Sequence, residues 1–200
     1  MKQPADSPAE SKKLTLVVSG MLWQRSLVMK DLETGSLWSH LLGQAMDGPL
    51  EGVELKTLPA IMTDWSTWKQ KYPNTTVANL SRTAMTFRRG MYTKPERYLI
   101  GLVESGKSRG WTFDKLKRQP VVNDRLGDAP LVIVFDDKTG AAWMYDRRID
   151  ERTLTFRHIE GAIVDEQTGS TWDRLHMKAT AGELAGRQLA QLPGIISFTR

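Results

Sequence analysis

The sequence predicts a mainly β protein, α+β at the margin. It is expected to form a single compact domain of two pseudo-repeated antiparallel β units with one or two short helices. Three observations predict this class: short segments rich in β-branched and aromatic residues, turn residues between those segments, and an internal repeat. The 200 residues, 40% of them hydrophobic, suffice for one substantial core.

Each predicted strand is a short apolar or alternating run bounded by turn residues. Strands are expected near residues 14–19, 26–31, 36–42, 53–58, 98–103, 108–113, 130–136, 141–147, 153–158, 162–165, 170–175 and 187–192. A helix is predicted to start at Thr63, which offers a polar cap, and to stop at Pro73. A second short helix is predicted from Thr112 to Lys117.

The chain contains a duplication. Residues 31–59 align with residues 165–193 at a constant offset of 134 without a gap, and 13 of the 29 positions are identical. The identities are mostly Gly, Pro, Leu and Trp, which set turns and fill cores, so the repeat preserves shape more than chemistry. The predicted repeat units are residues 14–74 and 130–193, joined by an irregular segment, residues 75–129. Residues 1–13 are expected to be a disordered leader.

The second unit has more sequence in front of it than the first. The apolar run, turn and aromatic-rich strand of residues 131–148 have no counterpart before the first unit. We therefore expect the first unit to look truncated, with an open sheet edge or a replacement for the missing strands.

Composition excludes several classes of function. The sequence contains no cysteine, which rules out disulfides, thiolate metal sites and a cysteine nucleophile. No apolar run approaches the ~20 residues of a membrane-spanning helix, and residues 1–13 contain no apolar stretch typical of a signal peptide. The net charge of +5 is mild, and the one basic cluster lies in a loop-like stretch, so nucleic acid is not an expected partner. That cluster comprises Arg82, Arg88, Arg89, Lys94 and Arg97.

The phrase D-x-x-T-G-S-x-W occurs at residues 31–38 and 165–172, with a weaker copy ending at Trp143. As a turn, its Asp would accept hydrogen bonds from nearby amides and its Gly would supply a positive φ. As a site, Asp31, Asp165 and Asp136 would be carboxylate ligands for a divalent cation such as calcium. Both interpretations remain open from sequence.

His40 is the sharpest candidate for acid–base chemistry. It lies two residues after Trp38, which would place it on the same strand face, and near Asp31 and Ser36. The matching position of the second unit is Arg174. His40, Asp31 and Ser36 are therefore the catalytic candidates, and Trp38, Trp172 and Arg174 the ligand-binding candidates.

Four sequence segments resemble a known bacterial and archaeal family called domain of unknown function 3179. These segments are VSGMLWQRSLVMKDLETGSLW, W-x-x-W-K-x-x-x-P, VVNDRLGDAPLVIVF and YDRRIDERTLTF, and the resemblance extends over residues 13–193. In that family, as the resemblance implies, many members carry C-P-x-C or C-P-x-T at the positions that Asp136 and Thr139 occupy in this sequence. The resemblance also implies an extracytoplasmic location, because members are commonly exported or lipid-anchored.

Two functions from different classes follow. The leading expectation is binding of a small ligand or a partner in the crevice between the repeat units, supported by the duplication and by seven Trp residues. The alternative is a metal-assisted hydrolase of a small ester, lactone or amide, with His40 as base.

Overall fold

The computed structural model describes residues 13–77 and 97–198. The predicted leader, apart from residue 13, and four members of the basic cluster lie outside these ranges. The chain divides into two compact units, Met1–Thr57 and Leu58–Arg200. The helix that the sequence placed at the end of the first repeat belongs to the second of these compact units.

The first unit is a four-stranded antiparallel meander. Its strands are β1 (Leu16–Trp23), β2 (Ser26–Asp31), β3 (Leu37–Ser39) and β4 (Ala45–Asp47), and they lie in this order. β1 is an edge strand, and its register with β2 shifts between Val18 and Leu22.

The second unit begins with α1 (Trp65–Lys71), followed by β5 (Tyr98–Glu104), β6 (Lys107–Thr112) and α2 (Phe113–Arg118). A three-stranded sheet follows, with β7 (Val121–Leu126), β8 (Ala129–Asp136) and β9 (Ala141–Asp146) in sequential order. Next come the hairpin of β10 (Arg148–Ile149) and β11 (Arg152–Thr153) and a meander like that of the first unit. Its strands are β12 (Phe156–Ile159), β13 (Ala162–Asp165), β14 (Thr171–Trp172) and β15 (Ala179–Ala181). The last strand, β16 (Ile195–Phe198), pairs with β5.

β8 is buried along most of its length because both of its faces pack against apolar side chains. Val132 and Val134 belong to one core cluster with Trp172 and Leu189 of the second repeat. Ile133 and its alternate neighbours belong to the other cluster, beside β5 and α2. A strand buried on both faces has a continuous apolar run, as the LVIVF segment shows.

The mainly β fold with two short helices is confirmed within the described residues. The register supports the duplication: Met29 pairs with Trp38 as Ile163 pairs with Trp172. α1 begins one residue later than predicted, with Asp64 as its cap, because the Asp64 carboxylate accepts the Thr67 N–H at 3.0 Å.

Several predicted strands are shorter than expected. Residues 53–58 and 187–192 contain isolated bridges instead of strands, at Glu54, Gln188 and Gln191. The glycines between these segments and the preceding strands, including Gly48 and Gly182, have positive φ angles that break extended pairing. Five of the described strands were not predicted: β4, β7, β10, β15 and β16. No helix within the described residues is long and apolar enough to cross a membrane.

Candidate functional site

The second copy of the repeated turn closes around the carboxylate of Asp165. Oδ1 of Asp165 accepts the backbone N–H of Thr168 at 2.7 Å and lies 2.9 Å from its hydroxyl. Oδ2 accepts the indole N–H of Trp172 at 2.9 Å and the backbone N–H of Ser170 at 3.2 Å. Asp165 is only 1% exposed, and its carboxylate has lost its hydrogen bonds to water. The internal donors on both oxygens replace those hydrogen bonds.

The first copy repeats this arrangement at Asp31, which is fully buried. Its carboxylate accepts the backbone N–H of Thr34 at 2.5 Å and the indole N–H of Trp38 at 2.9 Å. Burial alone would raise the pKa of Asp31, but the hydrogen bonds from Trp38 and Thr34 outweigh it and lower the pKa to about 2. Asp31 is therefore an ionised acceptor at neutral pH.

The serine of the motif connects the turn to a later loop. Ser170 Oγ lies 2.8 Å from the Thr168 hydroxyl and accepts the backbone N–H of Leu184 at 3.0 Å. Gly182 passes so close that a Cβ there would lie 2.7 Å from the Ser170 Cα. Ser36 occupies the same place in the first copy.

The structure brings Asp31 and Ser36 together inside this buried turn and leaves His40 outside it. β3 ends at Ser39, so the alternation that would align His40 with Trp38 does not extend to His40. The His40 side chain is exposed, and no hydrogen bond joins it to Asp31 or Ser36 in the described part of the chain. The described geometry therefore gives no direct support to His40 as a base, and that role stays a prediction.

The predicted ligand-binding tryptophans are core residues. Trp38 is 1% exposed and Trp172 is 3% exposed, and each donates its indole N–H to the carboxylate of its own turn. Arg174 is partly exposed. Its guanidinium lies 3.4 Å from Oδ1 of Asp136 and 3.3 Å from Nε2 of His158.

The predicted calcium ligands do not form a cation site. Among residues 13–77 and 97–198, no group of three or more His, Asp or Glu side chains is arranged to hold a metal ion. Asp31 and Asp165 each direct their oxygens to donors of their own turn, and Asp136 contacts Arg174. Calcium needs several oxygens that are not already engaged by positive groups or N–H donors, so these residues do not fit it.

The third turn keeps the backbone of the other two but not their side-chain contacts. The Gly140 N–H donates to the Asp136 carbonyl at 2.8 Å, as the equivalent glycines do in the other copies. The Asp136 carboxylate accepts the Lys138 N–H and contacts Arg174. Trp143 Nε1 and Thr139 Oγ1 are consequently buried without a hydrogen-bond partner among the described residues.

A cavity of about 180 Å³ lies in the second unit beside the edge strand β9. None of its lining residues carries a charge, and the walls are mostly aliphatic. The lining residues are Ala60, Ile61, Met62, Ile100, Ala142, Trp143, Met144, Gln191, Leu192, Gly194 and Ile196. Four segments that are distant in sequence therefore build one apolar site, which sequence reasoning missed.

The backbone of β9 contributes polar groups at this edge. Leu192 donates its N–H to the Met144 carbonyl at 2.8 Å, but its own carbonyl accepts the Gly194 N–H at 2.8 Å. The following chain therefore turns away instead of continuing along β9. In an antiparallel strand the N–H and C=O of one residue point to the same side, so the Met144 N–H faces this edge. Gln191, which also lines the cavity, donates its side-chain N–H to the Ala60 carbonyl at 3.0 Å.

A second polar cluster joins the end of α1 to the second repeat. The Tyr72 hydroxyl lies 2.5 Å from Nε2 of His176, and Nδ1 of His176 is 3.7 Å from Oδ1 of Asp173. Asp173 also accepts the backbone N–H groups of Leu175 and His176. The cluster thus fixes a loop and a helix end, and none of its three side chains is among the cavity-lining residues.

Comparisons with known proteins give one result. The family described as Protein of unknown function (DUF3179) matches residues 2–95 and again residues 86–199. Neither a curated protein nor a solved structure matches the chain. The two matches together extend over nearly all of the sequence, and the chain belongs to the DUF3179 family.

Proposed function

We propose that the second unit binds a small, neutral, mainly apolar molecule in the cavity beside β9. The observation that carries the proposal is an uncharged cavity whose lining includes Trp143, a buried tryptophan whose indole N–H has no hydrogen-bond partner among residues 13–77 and 97–198. A buried donor without a partner is unfavourable by about 1–3 kcal/mol, so a ligand acceptor that reaches it would gain that energy on binding.

The size of the cavity limits the ligand. An apolar cavity of about 150 Å³ can hold benzene, so about 180 Å³ suits a body of similar or slightly larger size. The absence of charged lining residues selects a neutral molecule, because an unpaired ion would lose its hydration without compensation. A carbonyl or ether oxygen on this body could accept from Trp143 Nε1 or from the Met144 N–H.

The position of the cavity agrees with ligand binding between the repeated segments. Residues 60–62 come from the end of the first predicted repeat, whereas residues 142–144 and 191–196 come from the second. The hydrolase alternative has weaker support, because the carboxylate of Asp31 and the hydroxyl of Ser36 are engaged within a buried turn.

The test is a binding screen with small neutral ketones, lactones and aromatic ethers, read by ligand-observed NMR and tryptophan fluorescence. Ala60 is exposed at the cavity, so Ala60→Phe should fill the opening without disturbing the core, and it should abolish binding. Trp143→Phe should weaken binding about tenfold, because one hydrogen bond to the ligand is lost. Trp65→Phe is the matched control, because Trp65 is exposed and does not line the cavity.

The result that would overturn the proposal is binding by Ala60→Phe that equals wild-type binding, or no binding by any compound of this size. Turnover of chromogenic esters that is lost with a chelator and in His40→Ala would favour the hydrolase instead.

A further inference from the structure

The third copy of the repeated turn has the same backbone arrangement as the other two. In each copy, the tryptophan seven residues after the aspartate pairs with the residue two positions before that aspartate. In each copy, the glycine N–H also donates to the carbonyl of the aspartate, at distances between 2.8 and 3.1 Å. The backbone therefore places Asp136, Thr139 and Trp143 relative to one another as it places their equivalents in the other turns.

In the other two turns, these three positions form one hydrogen-bonded group. The carboxylate accepts the indole N–H of the tryptophan at 2.9 Å and the hydroxyl of the threonine at 2.8 or 2.9 Å. In the third turn, Trp143 Nε1 and Thr139 Oγ1 are buried, and neither has a hydrogen-bond partner within residues 13–77 and 97–198. Two donors that bind a carboxylate in the other copies are therefore left without an acceptor, although the third turn contains a carboxylate of its own.

The Asp136 carboxylate is held outside this group. Its Oδ1 accepts the Lys138 N–H at 3.0 Å and lies 3.4 Å from the Arg174 guanidinium. The Arg174 side chain is 33% exposed, and an ion pair of this length in contact with water stabilises a conformation only weakly. Rotation about the Cα–Cβ bond of Asp136 would carry the carboxylate from this outer position to the inner position that the other two aspartates occupy.

The two positions of the Asp136 carboxylate have opposite advantages. The outer position keeps it partly hydrated and beside a positive charge, but leaves the donors of Thr139 and Trp143 unpaired. The inner position satisfies both donors but buries the carboxylate. The inner position is also weaker than in the other copies, because Ala141 replaces the serine whose hydroxyl contacts the threonine hydroxyl there. A single positive charge outside the turn can therefore compete with it.

We propose that the Asp136 carboxylate moves between these two positions and that Arg174 holds it in the outer one. In the outer position, the Trp143 N–H is open to an acceptor on the ligand. In the inner position, Asp136 itself accepts that N–H and competes with the ligand. Asp136 and Arg174 thus regulate the cavity, a step that rests on the proposed function, whereas the two positions of Asp136 depend on no ligand.

The test records the indole N–H signals of the full chain by proton–nitrogen correlation NMR without any ligand. The Trp143 signal is assigned by its loss in Trp143→Phe. Arg174→Met removes the positive charge but keeps the aliphatic stem, so the carboxylate should turn inward. The Trp143 proton should then move downfield, because a hydrogen bond to a carboxylate deshields it. The Trp38 and Trp172 signals, from indoles that already donate to carboxylates, should stay in place and show that the variant is folded.

Two further variants make the result specific. Arg157→Met removes another ion-paired arginine of the second unit, the partner of Glu166, and should leave the Trp143 signal unchanged. An Asp136→Ala, Arg174→Met double variant should show no downfield shift relative to Asp136→Ala alone, because no carboxylate is left to turn inward. A Trp143 signal that Arg174→Met does not move, or a shift that persists without the Asp136 carboxylate, would overturn the proposal.

Ligand affinity tests the regulation of the cavity. Arg174→Met should weaken binding of the small neutral lactones and ketones about tenfold, as Trp143→Phe does, because both changes remove the same open N–H. The Asp136→Ala variant should bind like the wild type, since its Trp143 N–H stays open. Equal affinity of Arg174→Met and the wild type would refute the regulation. Absence of binding by the wild type would overturn the proposed function alone, because the Trp143 signal tests the two positions of Asp136 without a ligand.

Discussion

Trp172 donates its indole N–H to the carboxylate of Asp165 across 2.9 Å, and both residues are almost fully buried. The same bond at the same distance joins Trp38 to Asp31 in the other repeat. A tryptophan and a carboxylate seven residues apart therefore form one structural unit. The aromatic ring fills the core, and its N–H supplies a hydrogen bond that the buried carboxylate would otherwise lack.

Replacement of Trp172 by Phe should destabilise the protein. The change keeps an aromatic ring but removes a hydrogen bond to a buried carboxylate, a loss of about 1.5–3 kcal/mol, with a further loss from the smaller ring. Urea denaturation followed by circular dichroism measures the change. Trp143→Phe is the control, because its ring is also buried but its N–H has no partner in the described structure, and it should be clearly less destabilising. Equal losses in the two variants would contradict the role of the hydrogen bond.

The threonines of two turns should respond to valine in opposite directions. Thr168 contacts Asp165 and Ser170 through its hydroxyl, so Thr168→Val should reduce stability by about 1–3 kcal/mol. Thr139 has the equivalent place in the third turn, but its buried hydroxyl has no partner among the described residues. Thr139→Val should therefore leave stability unchanged or raise it by up to about 1 kcal/mol. Thermal unfolding of both variants tests the contrast, and a large loss in Thr139→Val would refute it.

The turns illustrate what the sequence could predict. Spacing alone indicated that Asp, Thr, Gly and Trp form a hairpin turn in three places, since local backbone requirements are written in neighbouring residues. It could not show that the Asp136 carboxylate contacts Arg174 instead of Thr139 and Trp143 of its own turn. That change depends on Ala141, which lacks the serine hydroxyl, and on Arg174, 38 residues away.

The candidate site was harder to predict for the same reason. Its cavity joins Ile61, Trp143 and Leu192, and no local pattern connects three segments so far apart. The placement of His40 also differs from the expectation, because a strand was expected to continue to residue 42, whereas β3 stops at Ser39. Contacts between distant segments decide both outcomes, and one sequence carries little information about them.

The free energy of unfolding should depend on pH through Asp31. Its folded-state pKa is about 2, below its ordinary value of 3.8, so its ionisation stabilises the fold fully above the ordinary value. This contribution should disappear as the pH falls from about 3.8 toward about 2, because folding then no longer favours the charged form. Urea unfolding at a series of pH values measures the effect. Asp31→Asn should show a shallower decrease across this window, and an unchanged slope would exclude Asp31 as a source of the acid sensitivity.

Close packing against the motif serine should make Gly182 irreplaceable. Its φ is +92°, and a Cβ there would lie 2.7 Å from the Ser170 Cα, a contact that backbone atoms cannot relieve without moving the turn. Gly182→Ala should therefore displace Ser170 and weaken its bond to the Leu184 N–H, which is 3.0 Å long.

Gly186 is the matched control: its φ of +85° is similar, but nothing lies within 4 Å of a Cβ built there. Gly182→Ala and Gly186→Ala should each lose about 1–2 kcal/mol of stability, because alanine disfavours a left-handed backbone. Only Gly182→Ala should lose more than that. Denaturant midpoints give the comparison, and amide hydrogen exchange at Leu184 should accelerate in Gly182→Ala alone. Equal midpoints would mean that backbone conformation, not contact with the serine, explains why glycine occupies this place in both repeats.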